Sequence, residues 1–415
     1  MSPTLYRPSA TSSFVTSLSG QHSVILVLRP GLLGPSSAIV GNFSTPHTFI
    51  LPVSTQSVPL LTRALDSGTH ISKTFRSILS STELYAARAH LGTTEQCLYV
   101  CLWDCGSYRF PHWFTLWTNP SRTLPDSMIR RRRRNKKTAG QLLVPISSSN
   151  VPSVSTATAV VGSEIYVFGG GLVGYEPSSE VQVLDCRSNT WRDASSMNVA
   201  RKFAPTCVYG EKIYVMGGCE GSENESWAEV FDTRTQTWER LTDPGDEIRN
   251  CRISRIREIE GKIKFGNVER KMYGYDTKRC EWENCVNESA IYARWECIME
   301  NVSYGFWNKR LLWYDIVNGY WKAVRGLESL LGMYMRNGGS RGHKTKLVCC
   351  GGKFLLIWEG YMNRNPDNRK KIWCAEIVIE ERDDGVERWG IVERVDVLRT
   401  VPRICQLLHC LVVSV

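Results

Sequence analysis

The first 65 residues contain no aspartate or glutamate, and Arg7, Arg29 and Arg63 are their only arginine or lysine residues. The stretch is crowded with hydroxyl side chains and proline, as in Ser9-Ala10-Thr11-Ser12-Ser13 and Ser54-Thr55-Gln56-Ser57, and no apolar period emerges. A segment of this kind buries too little apolar surface to offset its ordering entropy, so 1–65 is expected to be disordered. Lack of acids also suits an organelle transit peptide, although such peptides carry more arginine than this. Histidine is scarce: after His112 only His343 and His409 remain, one in a Gly-rich stretch and one in an apolar run, which argues against a histidine-based metal centre. The 15 cysteines all lie at or beyond Cys97 and contain no C-x-x-C pair, so a zinc ribbon or finger is not expected. Free, mostly buried thiols in a reducing compartment are the expectation. No apolar run approaches the roughly 18 residues of a membrane helix, since Val24-Ile25-Leu26-Val27-Leu28 stops at Arg29. A soluble chain of the cytoplasm or nucleus is expected, with plastid import as the alternative.

The formal charge of +10 is unevenly placed. Residues 1–140 hold 15 Lys and Arg against 5 Asp and Glu, whereas residues 141–415 hold 36 of each. A neutral body lacks the basic footprint of a nucleic-acid binder, and no nucleic-acid partner is expected. The run Arg130-Arg131-Arg132-Arg133-Arg134-Asn135-Lys136-Lys137 reads as part of a solvated surface loop over 120–140, with a nuclear import signal or an anionic contact as its functional reading.

What the chain does have is a repeat. Asp-x5-Trp occurs as Asp185 to Trp191, Asp232 to Trp238, Asp276 to Trp282 and Asp315 to Trp321, each time after Leu, Phe or Tyr. The Trp positions step by 47, 44 and 39 residues, the range of four-stranded propeller blades. Asp383 and Trp389 share the spacing but follow Arg382. Ahead of the first two pairs, Ile165-Tyr166-Val167-Phe168 and Ile213-Tyr214-Val215-Met216 are apolar on both faces and end in Gly169-Gly170 and Gly217-Gly218. Such strands are expected to be sandwiched between blades, with the glycines where backbones approach closely or take positive φ. The Asp is expected to accept amide hydrogen bonds in a turn, and the Trp to open an outer strand and cover the adjoining blade. Later copies erode: Phe265-Gly266-Asn267 and Trp307-Asn308-Lys309 replace the Gly pair, which is expected to return at Gly351-Gly352 beyond an insertion over 326–342. Strands within 97–118 and the terminal run Leu407-Leu408-His409-Cys410-Leu411-Val412-Val413 are expected to complete one blade, closing a ring of six. Before the β region, Phe75, Ile78 and Leu79 share a helical face, and Ser80-Ser81-Thr82-Glu83 has the form of a capping box for a second helix ending near Gly92.

The repeat pattern resembles kelch repeats over roughly 154–415, and Ser72-Lys73-Thr74-Phe75-Arg76-Ser77-Ile78-Leu79-Ser80-Ser81-Thr82-Glu83-Leu84-Tyr85 is similar to the second half of the F-box in plant F-box/kelch-repeat proteins. The resemblance implies an all-β fold, a six-bladed kelch β-propeller over 97–415, preceded by a short α-helical F-box remnant over 66–92. It further implies a non-catalytic receptor that docks on the SKP adaptor of a cullin ubiquitin ligase and holds a target protein. By analogy the adaptor contacts are Ile71, Lys73, Phe75, Ile78 and Leu79. One departure is plain: Leu51-Pro52 is followed by Val53-Ser54-Thr55-Gln56-Ser57 and not by the acidic, Leu-rich first helix of an F-box. A kelch binding module without ligase recruitment therefore stands as the alternative.

No enzyme signature survives. Gly169-Gly170-Gly171-Leu172-Val173-Gly174 matches a dinucleotide fingerprint, but Tyr175-Glu176-Pro177-Ser178-Ser179 leads into another strand where a helix must begin. No cofactor or metal is expected. Target contacts are expected at the mouth formed by loops flanking strand ends, with Tyr175, Glu176, Arg201, Lys202, Phe203 and Trp227 as candidates; Arg201 and Trp227 equally fit a packing role.

Overall fold

A computed structural model describes residues 13–17, 24–28, 94–103, 111–116, 143–146, 157–170, 176–219, 226–251, 253–267, 271–285, 297–339, 345–360, 368–382 and 385–415. The chain divides into two compact units, one of Met1–Cys97, Trp117–Thr123 and Ser414–Val415, the other of Leu98–Leu116 and Leu124–Val413. In the first, where disorder is expected, Ser13–Ser17 pairs antiparallel with Val24–Leu28. The second of these strands is an unbroken Val, Ile and Leu run, a composition that favours strand. The helices expected over 66–92 and the basic run 130–137 lie outside the described residues.

Six four-stranded antiparallel sheets make up the propeller. Blade I takes its inner strand, Gln406–Ser414, from the end of the chain and sets it beside Gln96–Trp103, His112–Leu116 and Leu143–Pro145. Blade II is Ala157–Val161, Glu164–Phe168, Val181–Asp185 and Thr190–Ala194, and blade III is Thr206–Tyr209, Lys212–Met216, Ala228–Asp232 and Thr237–Arg240. Blade IV is Ile253–Ile259, Lys262–Asn267, Met272–Asp276 and Glu281–Asn284, and blade V is Cys297–Met299, Val302–Trp307, Arg310–Asp315 and Tyr320–Ala323. Blade VI is Thr345–Cys350, Lys353–Gly360, Arg369–Arg382 and Glu387–Pro402. The second strands of blades II, III and VI are buried on both faces, as their apolar sequence requires when blades lie on either side.

The Asp-x5-Trp element is a turn with a cross-strand pair attached. Leu184, Phe231, Tyr275 and Tyr314 lie opposite Trp191, Trp238, Trp282 and Trp321. Each Asp caps its own turn: Asp232 Oδ1 accepts from the amides of Arg234 at 2.9 Å and Thr235 at 3.1 Å, and Asp276 from those of Lys278 at 2.9 Å and Arg279 at 3.0 Å. Asp185 accepts from Arg187, and Asp315 from Val317 and Asn318, in the same way. The fourth residue after each Asp is Asn189, Gln236, Cys280 or Gly319, all at positive φ, which closes the hairpin in the twist of the strands.

The Trp then reaches the preceding blade. Trp238 meets Phe168 of blade II edge-on at 6.1 Å, and Trp282 meets Trp227 of blade III at 5.6 Å. Trp238 Nε1 donates to the carbonyl of Ser195 at 2.7 Å, and Trp282 Nε1 donates to that of Thr242 at 2.8 Å, equivalent positions one blade apart. All four repeat Trp rings are half-buried rather than enclosed, because the outer strand has solvent on its far side.

One sequence expectation fails here, and one shared spacing is not a repeat. Gly351 and Gly352 do not end a second strand; they form the tight turn between the first and second strands of blade VI, with Cys350 opposite Lys353. Apolar runs flank both sides of the pair, so the sequence reads equally well with the glycines ending or opening a strand. The Asp383 to Trp389 spacing is not a fifth copy either. Trp389 lies opposite Glu380, two residues out of register with the true repeats, and Asp383 falls outside the described residues.

Blades V and VI depart furthest from the repeat. In blade V the loop after the second strand shrinks to Asn308 and Lys309, both at positive φ, between the paired residues Trp307 and Arg310. The insertion over 326–342 holds helix α1, Glu328–Arg336, whose Leu330 and Tyr334 pack into a core shared with Phe306, Phe354 and Trp358. The long third and fourth strands of blade VI run on into a hairpin that reaches blade V. Arg325 donates to the carbonyl of Arg388 at 2.9 Å and accepts from Gly390 at 2.8 Å, while a Cβ at Gly390 would sit 2.7 Å from the Leu327 side chain.

Closure follows the expected route, and a buried ion pair fixes it. Glu359 and Lys370, on the second and third strands of blade VI, are both fully buried with Nζ and Oε2 2.6 Å apart. Glu359 Oε1 accepts from the amide of Leu407, at the start of the closing strand, at 2.7 Å.

Two outcomes are expected. Trp238→Ala should destabilise the chain by about 2–3 kcal/mol, below the range for fully enclosed rings because the side chain is half-buried; urea unfolding monitored by circular dichroism measures it, and a neutral result would remove the ring from the core. The second outcome concerns acid. The carboxyls of Asp232, Asp276 and Asp315 are held below their ordinary range, the first by the Thr235 amide, the second by the Arg279 amide and the third by Lys322 and Asn318. Between the folded and unfolded pKa values the folded chain binds fewer protons, so this stability is present above the unfolded value of about 3.9 and is lost as pH falls through the folded values. Urea midpoints should therefore drop steadily below about pH 4, and Asp315→Asn should flatten that slope.

Candidate functional site

Strand register sorts the connections onto two ends of the blades. Phe168 lies opposite both Ala157 and Val181, and Val181 lies opposite Ala194. Loops after second strands and links between blades therefore share one end, while the first hairpins and the Asp-x5-Trp turns share the other. Glu176, Arg201, Lys202, Phe203 and Trp227 belong to the first end. Tyr175 lies outside the described residues.

The crossing from blade II to blade III is stapled to both. The amide of Arg201 donates to Ser178 at 2.9 Å, its carbonyl accepts from Gly170 and Ser178 at 3.1 Å each, and the amide of Lys202 donates to Gly218 at 2.7 Å. The Gly pairs are needed for this approach. Gly169 has φ 68, and a Cβ there would stand 2.6 Å from the Arg201 carbonyl; one at Gly218 would run into the Lys202 carbonyl.

Arg201 is not a surface contact. It is 0% exposed, and its guanidinium donates to the carbonyls of Gly217 at 2.7 Å, Trp227 at 2.8 Å and Ser226 at 2.6 Å and to Glu229 Oε1 at 2.8 Å. The other oxygen of Glu229 accepts from the backbone and side-chain nitrogens of Asn198, at 2.8 and 2.7 Å. Every donor of the group is spent on the fold, so the packing role stands for Arg201. The same holds for Trp227, 6% exposed and packed among Phe265, Trp282 and Ile263. Glu229 escaped the sequence reading although a signal was present, an acid in the buried strand Ala228-Glu229-Val230-Phe231.

Three candidates face outward. Glu176 is exposed, Lys202 is half-buried, and Phe203 is 45% exposed at φ 54. At the opposite end the turns of blades III and IV carry polar pairs, Thr233-Arg234 and Thr277-Lys278, whereas Ile316 and Val317 of blade V are 84% and 88% exposed. The adaptor-contact candidates Ile71, Lys73, Phe75, Ile78 and Leu79 lie outside the described residues.

Among the described residues no group of three His, Cys, Asp or Glu is placed to hold a metal ion. Their cysteines are free thiols, and Cys280 is the exposed one. Burial pushes Cys101 and Cys374 well above the usual thiol range and Cys207 up to about 12, so these groups stay protonated and unreactive. No helix of the described residues is long and apolar enough to cross a membrane.

Arg201→Met should destabilise the propeller by about 3–5 kcal/mol, because it leaves the Glu229 carboxylate buried without its cation. Arg201→Met with Glu229→Gln should recover part of that loss, since the amide oxygen still accepts from Asn198. Denaturant midpoints of the two variants check both statements.

Comparison with known proteins agrees with this architecture. The profile of the FKB95, Kelch-repeats domain matches residues 113–399. The F-box/kelch-repeat protein At4g19865 of Arabidopsis thaliana is 65% identical over 347 residues, covering 83% of this chain and 86% of the relative. F-box/kelch-repeat protein At4g19870 of the same plant is 59% identical over 353 residues with the same coverage, and At5g39560 is 36% identical over 367 residues. With the repeat turn, the Gly-pair approach and ring closure in place, the chain belongs to the plant F-box/kelch-repeat family.

Proposed function

We propose that the chain is the substrate-recognition subunit of an SCF-type ubiquitin ligase, holding a target protein on its propeller and an SKP-type adaptor through the segment that resembles the second half of an F-box. The observation that carries this reading is the likeness to F-box/kelch-repeat proteins along 86% of their length, beyond the propeller alone. The protein itself is non-catalytic and needs no cofactor: it brings a target to ubiquitin chemistry that resides in other subunits. Cytoplasm or nucleus, where such ligases meet their targets, is the compartment that goes with it.

Target binding falls to the end of the blades that carries Glu176, Lys202 and Phe203. Loops on a rigid scaffold can vary without disturbing the core, and here the scaffold beneath them is tied by the Arg201 and Glu229 pair. The departure after Leu51-Pro52 favours a second reading, a kelch module that binds a partner and recruits no ligase.

Capture of the full-length chain by an immobilised plant SKP adaptor separates the two. The receptor reading expects retention. Failure of this chain to bind, under conditions that retain a family member with an acidic, Leu-rich first helix, would establish the second.

A further inference from the structure

Two thiols far apart in the sequence, Cys297 and Cys349, are brought to one boundary of the ring. Cys297 lies on the first strand of blade V opposite Tyr304, and Cys349 lies on the first strand of blade VI opposite Phe354. Residues opposite one another in a sheet share a face. The Tyr304 and Phe354 rings meet across the boundary with centroids 4.6 Å apart, so each ring points at the neighbouring blade and each cysteine points the same way. The alternation along the strands agrees: Cys297 and Met299 both pack against the core common to the two blades, as do Leu347 and Cys349.

First strands are the innermost of each blade, and blades converge toward the axis of the ring. The two cysteines therefore face each other one strand further in than the touching rings, where the gap is narrower. Cα atoms of these two first strands come within 8 Å of one another. A disulfide spans roughly 4.4–6.8 Å between Cα atoms, and the strand Cys297–Met299, only three residues long, needs little movement to meet that range.

Access distinguishes this pair from the other thiols. Cys297 and Cys349 are half-buried and reduced, whereas Cys101, Cys374, Cys405 and Cys410 are enclosed. Cys350, next in sequence, points to the other face of its strand. Burial holds the Cys349 thiol above its ordinary range, so the pair reacts slowly near neutral pH and faster as pH rises.

We infer that Cys297 and Cys349 form a modification site, a thiol pair that a peroxide oxidises to a disulfide across the boundary of blades V and VI. One sulfur, as thiolate, attacks the peroxide, which releases hydroxide and leaves a sulfenic acid. The second thiol gives up its proton and displaces hydroxide from that sulfur. Two thiols and one hydrogen peroxide thus give one disulfide and two waters, the sulfurs losing the two electrons that the peroxide gains. The new bond ties the short first strand of blade V to blade VI. This inference stands on the propeller alone and is independent of the ligase reading.

The test treats the reduced, full-length chain with hydrogen peroxide, blocks the remaining thiols with N-ethylmaleimide and maps cross-linked peptides by mass spectrometry. The peptide holding Cys297 should be joined to the one between Lys346 and Lys353, and dithiothreitol should release it. Because Cys349 and Cys350 share that fragment, the link should persist in Cys350→Ser and vanish in Cys349→Ser and in Cys297→Ser. The oxidised parent should melt about 5 °C or more above the reduced one, since the cross-link closes a long loop in the unfolded chain. The parent maps need no variant, so a substitution that fails to fold leaves the test intact. A link through Cys350, links only among other cysteines, the same pattern as in the urea-unfolded chain, or an unchanged melting temperature would each overturn the inference.

Discussion

The amide of Leu407 donates to Glu359, and the other oxygen of that carboxylate holds Lys370, with both charged side chains removed from water. On this contact depends the meeting of the two ends of the propeller chain, because Leu407 opens the strand that completes blade I from the far end of the sequence. A buried ion pair is seldom the cheapest way to stabilise a core; apolar side chains of the same volume often do as well. What a carboxylate adds is direction. It can take a backbone N–H on one oxygen and a cation on the other, and so fixes where the chain crosses from one blade to the next. Glu229 does the same at the crossing from blade II to blade III, accepting from Asn198 and Val199 while Arg201 neutralises it. Two crossings with unrelated sequences thus arrive at the same arrangement.

The two ends of the blades divide the labour. At the Asp-x5-Trp end the turns are self-contained: the Asp satisfies its own amides, and the Trp ties outer strand to neighbour. At the other end the connections are held by glycine contacts and the buried arginine, which leaves Glu176 and Phe203 exposed on segments fixed at Ser178 and Arg201. Binding from that end asks little reorganisation of the scaffold.

The turn and its Trp were legible in the sequence because their contacts are local. Asp232 bonds to residues two and three places on, and Trp238 lies opposite Phe231 seven places back. Ring closure was legible for a different reason, a terminal apolar strand with nothing else to pair with. Where the determining partner lies far away, the sequence left two readings open: Arg201 fitted a loop contact and a packing role equally, and Glu229, 28 positions on, decides for packing. Gly351-Gly352 misled because a glycine pair beside apolar runs marks a strand's end and its beginning alike, and only strand pairing distinguishes them. The strain at Phe203 has no sequence signature at all, since φ is imposed by the contacts of its neighbours.

The hairpin that blade VI lays against blade V bears on cooperativity. A ring of repeats ordinarily behaves as modules joined at similar interfaces, each contributing its own stability and that of its boundary. Blade V has a first strand of only three residues, and its hydrophobic core is continuous with that of blade VI through Tyr334, Phe306 and Trp358. With the Arg325 backbone clasped by Arg388 and Gly390, the boundary between these two blades adds main-chain hydrogen bonds to a shared side-chain core, and the two blades are expected to unfold together.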